Sequence, residues 1–250
     1  MPNVNDNEGK SRRRSERFKL ALPVRVHCRE SLDHEWVEMA RLGDVTAFGA
    51  RLSISRPTEP GRLLHLTLPM PRKLRNFDHT EDQYRVWALV RNVKLLDPGV
   101  PTDPLVEVGV AFLGKLPPKS YETDPTLRYQ IDQTSTDGGL WLVSGNQLSE
   151  MPEKRKESRH SIPIEVQIEV FGKDKGFSAS ERTVTANISR HGAAVFTSLD
   201  IATGRFIRLS SEQYGVSILA AVRTRRVSPE GIPHLHLEFV GGEWPLEDVS

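Results

Sequence analysis

The chain has 250 residues, of which 37% are hydrophobic and 27% charged, and its net charge is +1. That composition belongs to a folded protein rather than a disordered one, and the near-neutral balance provides no global field for a nucleic-acid polymer. A membrane-spanning helix needs about 18 consecutive apolar residues, whereas the longest run here is Ile218-Leu219-Ala220-Ala221-Val222, so no span is expected; the lone cysteine, Cys28, fits a reducing, cytoplasmic setting.

Residues 1–11 are polar, lack the apolar core of a signal peptide and read as a disordered tail. Residues 18–28 follow, with Leu20, Leu22, Val24, Val26 and Cys28 at period two, as in a half-buried strand. Further strands are expected at 36–40, 50–54, 64–68, 84–93 and 106–112, separated by turn residues that include Pro57, Pro60 and Gly61. Residues 69–84 are charged and aperiodic and read as an inserted loop. The connector is polar, with a helix expected to start at Pro125 and an apolar segment, Leu140-Trp141-Leu142-Val143, expected to pack on a neighbouring domain. A second series begins with Ile162, Ile164, Val166, Ile168 and Val170 in strict alternation and continues through 182–186, 193–198, 206–210, 216–225 and 234–240.

The two series are copies. Asp44-Val45-Thr46-Ala47-Phe48-Gly49 and Asn187-Ile188-Ser189-Arg190-His191-Gly192 each open into a strand and lie 143 positions apart. Upstream of them stand the pairs Arg13/Arg17 and Arg155/Arg159, with Arg17 and Arg159 offset by 142. A repeat of this length, made of short alternating strands, points to a duplicated antiparallel domain. The predicted fold is therefore all-β: two six-stranded antiparallel β-barrels, at 12–114 and 154–250, joined by a partly helical connector at 115–153.

The repeated residues also suggest a chemistry. Two guanidinium forks in a loop can clasp phosphate bidentately or meet O6 and N7 of guanine. A turn Asp or Asn can accept from the Watson–Crick edge of guanine, a Ser or Thr hydroxyl adds a donor, and Gly lets backbone come close to a flat ligand. Together they describe a pocket for a guanine nucleotide carrying several phosphates. The plainer reading of each piece is a solvated basic stretch and a turn capped by its own side chains.

At these residues the chain resembles the PilZ domain, a bacterial receptor module for cyclic di-GMP built as a six-stranded barrel, whose motifs are R-x-x-x-R and D/N-x-S-x-x-G. The resemblance covers residues 12–114 and 154–242. It implies that Arg155, Arg159, Asn187, Ser189 and Gly192 hold the ligand in the second half. It assigns the same role to Arg13, Arg17, Asp44, Thr46 and Gly49 in the first, where Thr46 replaces the usual Ser. Arg12 and Lys154, just ahead of each pair, imply two intercalated nucleotides per site. The implied role is a cyclic di-GMP receptor that alters its interdomain arrangement or its affinity for a downstream protein, with the ligand in place of any cofactor. The alternative is an adaptor that keeps the barrels but binds no ligand.

Other clusters receive plainer readings. His234 and His236 share one face of a strand but lack a third ligand at metal spacing, so they read as surface histidines. Arg223, Arg225 and Arg226, with Arg205 and Arg208, read as a solvated barrel face. No nucleophile elbow, P-loop or H-E-x-x-H is present, and no enzymatic activity is expected.

Overall fold

The structure, a computed structural model, describes residues 18–19, 21–69, 81–96, 105–134, 141–146, 159–172, 176–227 and 231–246. The predicted tail and most of the predicted 69–84 loop lie outside these residues.

In the first half the strands are β1 (Phe18–Lys19), β2 (Pro23–Arg29), β3 (Glu35–Val45), β4 (Gly49–Ile54), β5 (Leu63–Pro69), β6 (Gln83–Leu95) and β7 (Val106–Gly114). Six of them close into an antiparallel barrel in the order β2-β3-β4-β7-β6-β5, while β1 adds two residues to the end of β3. Alternation decides which side chains go inside. Val24 and Val26, Leu52 and Ile54, Leu64 and Leu66, and Val106 and Val108 are all fully buried, at 0% exposure, and each such side chain contributes roughly 1.5–3 kcal/mol over its exposed state.

The second half repeats this plan with β10 (Glu165–Phe171), β11 (Phe177–Ser189), β12 (Gly192–Phe196), β13 (Phe206–Ser211), β14 (Val216–Val227) and β15 (Pro233–Val240). These close in the matching order β10-β11-β12-β15-β14-β13. The predicted pair of six-stranded barrels is thus what forms, with the second core built on Ile164, Ile168, Ile188, Val195, Leu209 and Leu235.

The connector departs from expectation. Its helix, α1, spans Lys119–Thr123 and ends before Pro125 rather than starting there. Asp124, the residue before that proline, is extended at φ −140 and ψ 93, because proline disfavours the helical region in its predecessor. Beyond it, β8 (Arg128–Thr134) and β9 (Trp141–Asn146) form a hairpin. Tyr121 and Tyr129 pack with Leu63 and Leu89 on the outside of the first barrel, and Val143 of the predicted apolar segment joins them, whereas Leu142 is exposed and Leu140 lies outside the described residues.

The barrels also touch each other. Phe171, Phe206, Leu219, Ala221 and Val240, on the outer face of the second barrel, merge with the buried cluster of the first. At this seam Glu59, whose side chain is 4% exposed, receives Nε and Nη2 of Arg128 and Nη2 of Arg223, the last at 2.6 Å. Arg62 lies 3.8 Å away. Arg223 also donates Nε to Glu238 at 2.6 Å. This corrects the reading of a solvated face for Arg205, Arg208 and Arg223, while Arg225 and Arg226 are exposed as expected. Arg223 joins the barrels, Arg205 donates to the carbonyl of Phe171 at 2.7 Å, and Arg208 pairs with Glu169 at 2.6 Å.

Candidate functional site

In each barrel the hexamer is a tight turn between two paired strands, and the hydroxyl of its third residue closes it. Ser189 donates Oγ to the carbonyl of Gly192 at 3.1 Å, and Thr46 donates Oγ1 to that of Gly49 at 3.3 Å. Thr46 therefore keeps the bond that Ser189 makes. The glycines answer to a packing demand. A Cβ on Gly192 would lie 2.4 Å from the carbonyl oxygen of Leu237, and one on Gly49 2.2 Å from that of Val110. The neighbouring strand comes too close for any side chain.

What precedes the first strand of the second barrel is tied to this turn. His160 forms an isolated bridge with Ile188, exchanging hydrogen bonds of 2.8 and 2.9 Å. The bridge seats the preceding residue, Arg159, beside the motif, where its Nη1 reaches Oδ1 of Asn187 at 3.5 Å. Arginine and bend are thus on one side of the barrel. In the first barrel, β1 pairs Lys19 with Asp44 and Phe18 with Val45. Of the remaining predicted site residues, Arg13, Arg17 and Arg155 lie outside the described residues, as do Arg12 and Lys154.

Following the strand register outward from each motif exposes the difference between the barrels. In the second barrel Asn187 pairs with Ala194, Ala194 with His236, and His236 with Thr224. The corresponding row of the first barrel is Asp44, Arg51, Gly109 and Asn92. There Arg51 places Nε and Nη2 at 2.8 Å from Oδ2 of Asp44 and Nη1 at 3.4 Å from Glu107. Asp44 and Glu107 raise the proton affinity of Arg51 still further. Asn92 closes the far end, since a Cβ on Gly109 would meet its Oδ1 at 1.9 Å. The first row is filled by its own side chains and, with Glu107 of the adjoining row, sets two carboxylates against one guanidinium.

The second row has a methyl group where the first has Arg51, and no carboxylate. His234 occupies the place of Glu107, because Phe196 pairs with His234 as Ser53 pairs with Glu107. Its ring and that of His236 are 5.0 Å apart. Nδ1 of His234 and Nε2 of His236 are buried without a hydrogen-bond partner. Burial, His234, Arg226 and Arg159 together hold His236 below the usual histidine range. Among the described residues no group of three metal-ligating side chains occurs.

Sequence reasoning passed over two features here. Ala194 against Arg51, at the motif offset of 143, was legible in the repeat itself. The segment after β15 was not. Its Glu243 pairs with His191 at 3.2 Å and Arg190 at 3.7 Å, and the N–H of Trp244 donates to the carbonyl of Arg190 at 2.9 Å. His191 is held by a carboxylate, and the buried Trp244 anchors this segment under the motif turn. No described helix is long and apolar enough to cross a membrane.

Comparison with known proteins finds a family and several folds. No curated protein matches the chain. Among solved structures it resembles the inhibitor of motility MotI/DgrA of Bacillus subtilis, at 15% identity over 89% of this chain and 88% of that one, with a TM-score of 0.28. It also resembles PlzA of Borreliella burgdorferi, solved with c-di-GMP, at 12% identity over 94% and 90% with a TM-score of 0.28. YcgR of Escherichia coli, likewise solved with c-di-GMP, matches at 12% over 88% and 76% with a TM-score of 0.29. The PilZ domain family model matches residues 153–243, the whole second barrel with its arginine pair and its turn. Residues 153–243 of the chain are thus similar to the PilZ domain family.

Proposed function

We propose that the chain is a cyclic di-GMP receptor whose second barrel is the binding unit. Arg155 and Arg159 clasp phosphate and guanine, Asn187 faces the base, and Ser189 and Gly192 hold the turn that presents it. The observation that carries this reading is the outer row of the second barrel, where Asn187, Ala194 and His236 carry no carboxylate and lie beside Arg159. A dianionic dinucleotide needs cations and a floor free of like charge; Arg155 and Arg159 supply the first and that row the second.

The first barrel has the turn without the floor. Arg13, Arg17, Asp44 and Gly49 match the motif and Thr46 stands in for its Ser, yet Arg51 already occupies Asp44, and Glu107 adds a charge of the ligand's own sign. We assign that barrel a docking role. The effector step follows from chain order: Arg155 and Arg159 lie at the junction of connector and second barrel, so a ligand gripped there restrains the connector's exit and changes how the barrels meet or what protein they recruit. The ligand-free adaptor remains the competing reading.

Calorimetry with cyclic di-GMP on the full chain and on Arg159→Ala and Arg17→Ala variants tests this. Binding lost in the first variant and kept in the second supports the assignment. No heat from the unaltered chain favours the adaptor.

A further inference from the structure

His234 has no task in the reading above, and His236 enters it only as part of the row. They lie outward on β15, flanked by the apolar positions Leu235 and Leu237 that point into the core. One ring nitrogen of each is buried and unpartnered, and native proteins seldom leave such groups unsatisfied without a functional reason. Across the row, the small side chain of Ala194 separates His236 from Asn187, which Arg159 touches. The groups facing His236 are His234 on its own strand, Arg226 from β14 and Arg159 from ahead of β10. Asn187 from β11 and Ala194 from β12 are uncharged, and Arg190 and His191 are engaged by Glu243 at the turn.

We infer that His234 and His236 form the floor of the nucleotide site, donating ring N–H groups to acceptor oxygens of the bound anion, and that binding draws one proton from solvent onto His236. This rests on the ligand reading given above. In the free protein burial, His234 and two guanidinium groups lower the pKa of His236 and keep it neutral near pH 7. An arriving phosphate reverses that field, and an imidazolium has two donors where the neutral ring has one. The sign follows from linkage: because the proton is held more tightly in the complex, affinity rises as pH falls through the bound-state pKa and levels off below the free-state pKa. A one-unit rise on binding corresponds to an affinity gain on the order of tenfold across that window.

The experiment is calorimetric titration of the full chain with cyclic di-GMP from pH 5.5 to 8, repeated near pH 7 in two buffers of different ionisation enthalpy. The expected result is tighter binding at the acid end, buffer-dependent heats that report proton uptake, and loss of both in His236→Gln. His234→Gln should weaken binding severalfold with the melting temperature unchanged. If the unaltered chain binds with the same affinity and heat at every pH and in both buffers, the inference fails while the receptor reading stands. It fails likewise if His236→Gln keeps the acid-side gain. If no heat is seen from the unaltered chain in any arm, the receptor reading falls and takes this one with it.

Discussion

Arg223 on the second barrel and Glu59 on the first meet through a 2.6 Å hydrogen bond between Nη2 and Oε2, and that carboxylate also receives Arg128 from the connector hairpin. One acidic group thereby fastens three parts of the chain. Burial alone would raise its pKa, but Arg128, Arg223 and Arg62 outweigh burial and hold it below the usual glutamate value. Glu59→Gln removes the charge and leaves Arg128, 2% exposed, without its counter-ion. Breaking a buried pair in this way costs about 3–5 kcal/mol. The variant should melt well below the unaltered chain in a calorimetric scan.

The same group sets an acid limit. A carboxylate with a depressed folded-state pKa contributes stability above its unfolded value, about 4.3, and that contribution is lost as pH falls through the folded value. Melting temperature should therefore hold from neutrality to near pH 4.5 and drop below it. Glu59→Gln should flatten that acid limb, and a limb of undiminished depth in the variant would locate the titrating group elsewhere.

Ala194 is the test of the carboxylate-free row. Ala194→Arg puts into the second barrel the guanidinium that the first already carries at Arg51. Cyclic di-GMP affinity should fall by tenfold or more, with circular dichroism unchanged. Arg51→Ala in the first barrel should create no new site, because Asp44 and Glu107 remain.

The motif glycines answer to packing. Gly192→Ala and Gly49→Ala drive a Cβ to 2.4 and 2.2 Å from a neighbouring carbonyl oxygen, an overpacking penalty of about 1–3 kcal/mol. Both should lower the melting temperature by about 3–10 °C. Gly49→Ala should do so without weakening the ligand.

Cys28 should be inert. It is 1% exposed, and burial pushes its thiol up to about 12, so the reactive thiolate is scarce at pH 8. A disulfide reagent should label it only after denaturation, and rapid labelling of the native chain would contradict its place in the core.

Much of this architecture was legible in the residues. Alternation at Val24 and Val26 or Ile164 to Val170 assigns inside and outside strand by strand, and the repeat doubles the unit. The seam was not legible, because an outward position on a strand does not say whether water or another barrel faces it. One sign was available: Ile218 to Val222 is apolar without alternation, as a strand covered on both faces must be, and Leu219 and Ala221 do face the first barrel. The connector failed for a local reason. Pro125 was taken to open a helix, whereas its constraint on Asp124 closes one. At the site the turn and Arg159 were readable, but the floor needed the pairing of β12 with β15, a long-range register no single segment carries.

The face on which Phe206, Leu219, Ala221 and Val240 lie has a practical meaning for anyone trimming this chain. A fragment cut to residues 153–243 would carry that greasy strip uncovered, next to an Arg223 stripped of one of its two acids. Such a fragment would be prone to self-association, and its clumping would mimic a ligand-driven dimer. Measurements of stoichiometry belong on the intact polypeptide.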